Sequence, residues 1–208
     1  MKILVTSFEP FDNDTLNSSQ EALRGVPDTI DGAQIVKRDL PVSFGRSIEA
    51  LRAAIQEEKP DMVLCVGQAG GRAVLTPERV AINIKDARCP DNDGAQPIDE
   101  PIFEDGPDAY FSTLPVRAMA DAIRDAGLPA ELSNTAGTFV CNQVMYGLLH
   151  ILTKEFSGTR GGFLHLPCLS EQTVSHPDKP ALPREELTLG IIASLRAIIQ
   201  CAKKEQKL

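Results

Sequence analysis

No two of the five cysteines, at positions 65, 89, 141, 168 and 201, form a Cys-x-x-Cys pair, and their number is odd. That pattern excludes a zinc ribbon, a dithiol redox motif and a disulfide framework, and it predicts reduced thiols in a cytoplasmic protein. Basic charge is scarce as well. Lys and Arg number 21 against 29 Asp and Glu, a net charge of -8, so no basic stripe exists to neutralise phosphates and no nucleic-acid partner is expected. The one lysine-rich run, Lys203-Lys204-Glu-Gln-Lys207, is predicted to solvate the end of a terminal helix. Apolar runs are short. Ile3-Leu-Val5 is too brief for a signal-peptide core, and nothing reaches membrane-spanning length. Tryptophan is absent, which bears on no choice of oligomeric state.

What is present reads as an ordinary globular composition, 42% hydrophobic and 24% charged over 208 residues. Such a chain can bury a substantial core, and residues 1–208 are expected to form a single domain. Strand and helix patterns alternate. Ile3–Thr6, Ala33–Leu40 and Met62–Val66 read as buried strands, and Arg79–Ile84 as a mostly alternating one. Pro129–Ser133 and Gly162–Leu166 complete the set. Helices are predicted from Ser18 or Ser19, after a cap at Ser43 (Ile48, Leu51 and Ile55 inward), over Leu114–Ala126, beyond Cys141, and over Arg184–Ala202. Residues 86–108 form a long loop rich in Asp, Pro and Gly, of the kind that is functional or mobile. The alternation predicts an α/β fold, a three-layer α/β/α sandwich around a mostly parallel twisted sheet.

Ligands of such sheets bind beyond the carboxyl ends of the strands, and three groups of residues fall there. Gly67-Gln-Ala-Gly-Gly-Arg72 follows one strand. It lacks the Gly-x-Gly-x-x-Gly and Walker spacings, so a tight turn that lets backbone approach closely is the modest reading. Cys141 opens a helix marked by Val140, Val144, Leu148 and Ile151. Unpaired N–H groups and the dipole at that end are expected to favour a thiolate and to stabilise an oxyanion, although a cysteine on an apolar face is also an ordinary core residue. The third group is His165.

A thiol nucleophile needs a base, and the base an orienting partner. The chain offers three histidines. His150 lies roughly 13 Å along the same helix from Cys141, and His176 reads as an exposed turn residue. His165, near a strand's carboxyl end, is the remaining base, or else a core histidine bonded to backbone. Glu78 fits as the orienter, or is a solvated loop glutamate; Asn142 is its rival.

These segments, taken together, resemble pyroglutamyl peptidase I, a cysteine peptidase that removes N-terminal 5-oxoproline. The resemblance runs through nearly the whole chain. It is carried by Phe8-Glu-Pro-Phe11, Gly67–Arg72, Thr76-Pro-Glu-Arg-Val-Ala-Ile-Asn83, Asp86-Ala-Arg88, Thr135-Ala-Gly-Thr-Phe-Val-Cys-Asn142 and Gly162-Phe-Leu-His165. It implies Cys141 as nucleophile, His165 as general base and then acid, and Glu78 as the orienting carboxylate, with a thioester acyl-enzyme. It places Arg88 beside the cysteine and gives Phe8, Phe11, Asn17, Gln68, Phe139 and Val140 to the lactam pocket. It also implies no metal or organic cofactor, pyroglutamylated peptides as partners, no membrane, and a homo-oligomer, a tetramer in microbes.

A neutral lactam among aromatic rings suits such a pocket, whereas an N-terminal ammonium would lose its hydration there without replacement. The chain departs from the family pattern in two places. Ser7 stands where Gly is expected, and Asn17-Ser18-Ser19 where Asn-Pro-Ser is expected, so the consequences fall on pocket affinity. Three other readings compete. Nucleoside phosphorolysis lacks a phosphate-binding residue set. A non-catalytic lactam-binding protein has no need for Glu78, Cys141 and His165 together. A redox cysteine protein lacks a resolving thiol close in sequence.

Overall fold

Short buried strands, each run apolar on both sides, need helices on both faces, and the chain supplies them. The computed structural model describes residues 1–12 and 14–205, so Lys207 of the terminal run lies outside the described residues. In chain order the elements are β1 (Lys2–Phe8), α1 (Ser18–Arg24), β2 (Thr29–Ile30), β3 (Ala33–Leu40), α2 (Ser47–Glu58) and β4 (Met62–Gln68). β5 (Thr76–Glu78), β6 (Val80–Ile82), β7 (Ala109–Phe111), α3 (Val116–Asp125) and α4 (Val140–Lys154) follow. The chain closes with β8 (Arg160–Leu166), β9 (Cys168–Leu169), a 3₁₀ turn (Ser170–Val174), β10 (Ala181–Leu182) and α5 (Arg184–Glu205).

The central sheet runs β2-β3-β1-β4-β8-β5, with β3, β1, β4 and β8 parallel and the short β2 and β5 antiparallel at its edges. Alternate side chains of each strand serve opposite cores. Ile3, Val5, Leu64, Val66, Leu164 and Leu166 pack with Met119, Ile191 and Ile198 of α3 and α5. Leu4, Val63, Cys65 and Phe163 pack with Leu51 and Ile55 of α2 and with Val140, Val144 and Leu148 of α4. The result is an α/β/α sandwich around a mostly parallel sheet. None of the described helices is long and apolar enough to cross a membrane.

Two expectations, one for a strand and one for a helix cap, are corrected. Pro129–Ser133 is not a strand but makes isolated parallel bridges, Leu75 with Ala130 and Glu78 with Ser133. It runs beside β5, which the sequence conceals because it holds Pro77 and only three residues. Proline is confined to sheet edges, where its missing N–H leaves no ladder position empty. Ser43 precedes α2 rather than capping it directly: its Oγ accepts from Arg46 N at 3.1 Å, and the helix starts at Ser47.

The 86–108 loop is stitched to the scaffold rather than free. Its two ends leave the small antiparallel pair β6–β7. Asn83 Oδ1 accepts from the N–H groups of Ile102 and Phe103, and Asn92 Nδ2 donates to Glu9 Oε1 and Pro10 O. Asp91 folds the tip, accepting from the backbone of Phe44, Asp93 and Ala95.

Candidate active site

The turn before α4 determines where the cysteine goes. Gly137 sits at φ +79°, a conformation that favours glycine, and Thr138 pairs with Asp86 on both sides: Asp86 N donates to Thr138 O, and Thr138 Oγ1 to Asp86 O. The chain then enters α4 through Phe139, which is extended and provides no side-chain cap. Cys141 is the second residue of the helix, so its own N–H and those of Val140 and Asn142 have no intrahelical acceptor. The neighbouring side chains fix the helix. Asn142 Oδ1 accepts from Ile82 N at 3.0 Å while its Nδ2 donates to Ile82 O and Ile84 O. Gln143 Nε2 donates to Phe44 O at 2.8 Å. With its amide committed to β6, Asn142 is unavailable as the rival orienter of a histidine.

Strand register brings the base to the thiol. Gly67 of β4 is the neighbour of His165 in β8, one strand spacing away, about 4.8 Å. The Cys141 sulfur lies over Gly67: a Cβ there would stand 3.0 Å from Cys141 Sγ and 2.8 Å from Phe163 Cζ. Only glycine leaves that space. On the other side of β8, His165 pairs with Thr76 of β5. His165 is 3% exposed and Glu78 is fully buried. His165 Nδ1 donates to Glu78 Oε1 at 2.7 Å; a carboxylate can only accept, so Nδ1 carries the hydrogen, and in the neutral imidazole Nε2 keeps the lone pair.

The carboxylate has a second partner that the sequence reading did not single out. Arg72, at the end of the glycine turn, bonds through Nη1 to the same Glu78 Oε1 and to Thr76 Oγ1, and through Nη2 to Thr135 O at 2.7 Å. Glu78 Oε2 is buried without a hydrogen-bond partner among the described residues.

Cys141, His165 and Arg72 face one cavity of about 640 Å³ beyond the carboxyl ends of β1, β4 and β8. All six residues assigned to the pocket line it, as does Arg88. Phe139 forms the aromatic wall, 5.1 Å between centroids from Phe11 and 5.1 Å edge-on from Phe44. Phe8 lies beneath, against Phe163. Arg88 is placed on the wall by the Asp86–Thr138 pairing two residues before it.

Asn17 and Gln68 divide their roles. Asn17 caps α1, accepting from Ser19 N and Ser19 Oγ and donating to Glu9 O at 3.0 Å, so its amide shapes the wall. Gln68 Oε1 accepts from Ser18 N at 2.7 Å, leaving Nε2 as the cavity-side donor. The departure at Ser18 thus has a structural consequence, because proline there would have no N–H to give. The departure at Ser7 does not reach the pocket: Ser7 Oγ donates to Asp39 Oδ1 on the opposite face of β1.

Two further expectations change. Burial pushes the Cys141 thiol up to about 12, with Glu78 raising it further and Arg72 opposing. Desolvation of the charged form therefore works against the thiolate that the helix end favours. His176 is not an exposed turn residue. It is half-buried and bonds through Nε2 to Asp14 Oδ1 at 2.8 Å, tying the 3₁₀ segment across the cavity rim.

The chain matches the family model described as pyroglutamyl peptidase over residues 1–204. A pyrrolidone-carboxylate peptidase of Lactobacillus johnsonii is 54% identical over 200 residues, covering 96% of this chain and 93% of that protein. Pyroglutamyl peptidase I of Bacillus amyloliquefaciens has a crystal structure that aligns at TM-score 0.91 and 42% identity, over 95% of this chain and 97% of that one. Pyrrolidone carboxyl peptidase from Thermococcus litoralis aligns at TM-score 0.92 and 40% identity, over 98% and 96% of the two chains.

Proposed function

The chain belongs to the pyroglutamyl peptidase family of cysteine peptidases, and from that premise we propose that it releases N-terminal 5-oxoproline from peptides by a Cys141–His165–Glu78 triad through a thioester acyl-enzyme. The observation that carries the reading is the arrangement of the base. His165 is tethered at Nδ1 to a fully buried Glu78, and stands one strand spacing from the residue on which the Cys141 sulfur rests.

The chemistry follows from the ionisation of the thiol. At neutral pH a thiol held up at about 12 keeps its proton. Its sulfur becomes a nucleophile only as Nε2 of a neutral His165 takes that proton, while the carbonyl carbon is attacked. Glu78 holds the imidazole in the required tautomer and stabilises the imidazolium that forms. The tetrahedral oxyanion is held by backbone N–H groups at the start of α4, with Arg88 on the same wall. His165 then returns the proton to the departing amine, the C–N bond breaks, and the thioester remains. A water deprotonated by His165 cleaves the C–S bond, freeing 5-oxoproline and restoring the thiol.

Binding of the lactam rests on the aromatic wall and on Gln68 Nε2, a donor suited to the ring carbonyl. Peptides beginning with Glu or Gln carry an ammonium that this wall cannot solvate, and they are excluded by desolvation. The test is hydrolysis of a pyroglutamyl-coumarin amide by wild type and Cys141→Ala under reducing conditions. Turnover by wild type and its loss in the variant support the reading. Equal turnover of glutamyl and glutaminyl substrates would overturn the pocket, and an active Cys141→Ala would overturn the triad.

A further inference from the structure

Arg72 is a cation of this site that the triad chemistry leaves unused. It lies at the end of the glycine turn, 26% exposed in its side chain, and its guanidinium reaches three residues on two separate segments. Nη1 meets Glu78 Oε1 and Thr76 Oγ1 on β5, and Nη2 meets Thr135 O on the segment that leads into Cys141. Glu78 Oε1 therefore has two donors, Arg72 and His165 Nδ1, while Oε2 has none among the described residues. A carboxylate with no solvent exposure is costly to keep ionised unless a cation is bonded to it, and His165 must be neutral to act as a base.

We propose that Arg72 is a positioning residue that sets the charge balance of the triad. By sharing Oε1 with His165 it fixes Glu78 in one orientation and sets a positive charge against the buried carboxylate on which the imidazole is held. Its second fork to Thr135 O holds the Cys141 turn in register with that pair. The proposal rests on the triad reading above. Other titratable and charged groups face the cluster: Cys65 from β4 beneath the thiol, Cys141 itself, and Arg88, Lys179, Asp12 and Asp14 around the cavity. Among the described residues none of these is bonded to Glu78, whereas Arg72 is.

The test compares wild type, Arg72→Met and Arg72→Lys by kcat and KM for a pyroglutamyl-coumarin amide across pH, per folded enzyme, beside Cys141→Ala. In Arg72→Met, the buried Glu78 loses its bonded cation and faces the imidazole of His165 alone. The acid limb of kcat/KM is expected to move upward by about one pH unit, with kcat down about 100-fold and KM within about threefold. Arg72→Lys restores the charge and is expected to recover at least about tenfold of the loss. An acid limb that stays in place, or a lysine variant no better than methionine, overturns the proposal. If either outcome accompanies an inactive Cys141→Ala, the role of Arg72 fails and the triad stands; an active Cys141→Ala rejects both. Should the methionine variant not fold, Arg72→Gln, which keeps hydrogen-bond donors without the charge, carries the same comparison.

Discussion

Helix α4 has two chemically different ends. At its start Cys141 meets a cavity, a charged pair and a histidine held by a carboxylate. Nine residues on, His150 is stacked against Phe103 at 4.1 Å between centroids and 6° between planes, and its Nδ1 pairs with Tyr110 OH at 3.2 Å. Both histidines near this helix are buried, His150 at 6% and His165 at 3%. The partner distinguishes them. A carboxylate on Nδ1 leaves His165 with a basic Nε2 at the cavity, whereas rings and a phenol give His150 packing and no proton-transfer route. Burial alone therefore does not mark a candidate base; burial with a carboxylate partner and an open far side does.

The sharpest way to break that contrast is to remove each ring in turn. His165→Ala is expected to lower kcat/KM by about 10³-fold or more, as loss of a general base does. His150→Ala should leave it within about threefold per folded enzyme while lowering thermal stability. Similar activity losses in the two, measured on the same coumarin amide, would mean the contrast is wrong. A smaller effect is expected at the strand end between thiol and base. Gly67→Ala adds a Cβ 3.0 Å from Cys141 Sγ and 2.8 Å from Phe163 Cζ. Overpacking of that kind costs about 1–3 kcal/mol, and the displaced sulfur is expected to lose about tenfold in kcat. An alanine variant with wild-type kcat would show that the sulfur does not rest there.

The far end of α4 makes a pH prediction of the opposite kind. Burial lowers the pKa of His150 below its ordinary value of about 6.5. A histidine depressed in the folded state binds its proton more readily when unfolded. Stability is therefore complete above about pH 6.5 and falls as the pH drops from there through the lower folded value. His150→Phe keeps the stack on Phe103 and removes the titration. Denaturant midpoints of wild type and variant should converge as the pH falls below about 6.5, and parallel curves would remove His150 from the acid response.

Much of this was legible in the chain. Long strands and helices with continuous apolar faces, β3, β4, β8 and α4 among them, were read to within a few residues, because burial on a sheet or helix face leaves a periodic mark. His165 is the one site residue that elimination reaches, among three histidines; Cys141 is suggested by its place at a helix start, and the role of Glu78 is what the resemblance implies. What escaped reading depends on contacts between distant segments. Thr76–Glu78 is too short and proline-bearing to show a strand pattern, yet it pairs antiparallel with β8 and delivers Glu78. Arg72 sits among glycines, and only the fold reveals its carboxylate. The high pKa of the thiol comes first from burial under the folded chain and then from Glu78, which lies 63 residues away in sequence. His176 and Asp14 meet across 162 residues.

The smallest expected effect concerns the wall of the pocket rather than its chemistry. Ser18 is where the family pattern has proline, and its N–H holds Gln68 Oε1 at 2.7 Å. Ser18→Pro removes that donor, while φ at the start of a helix suits proline, so α1 itself should be retained. Gln68 is then free to turn its carboxamide, and the cavity-side donor loses its preset direction. The expected outcome is a rise in KM of about threefold for pyroglutamyl substrates with kcat unchanged, since the triad lies on other strands. The contrast drawn along α4 predicts this separation: groups that position the lactam change binding, and groups bonded to His165 change turnover. A fall in kcat at constant KM in Ser18→Pro would show instead that α1 and Gln68 reach the reacting carbonyl.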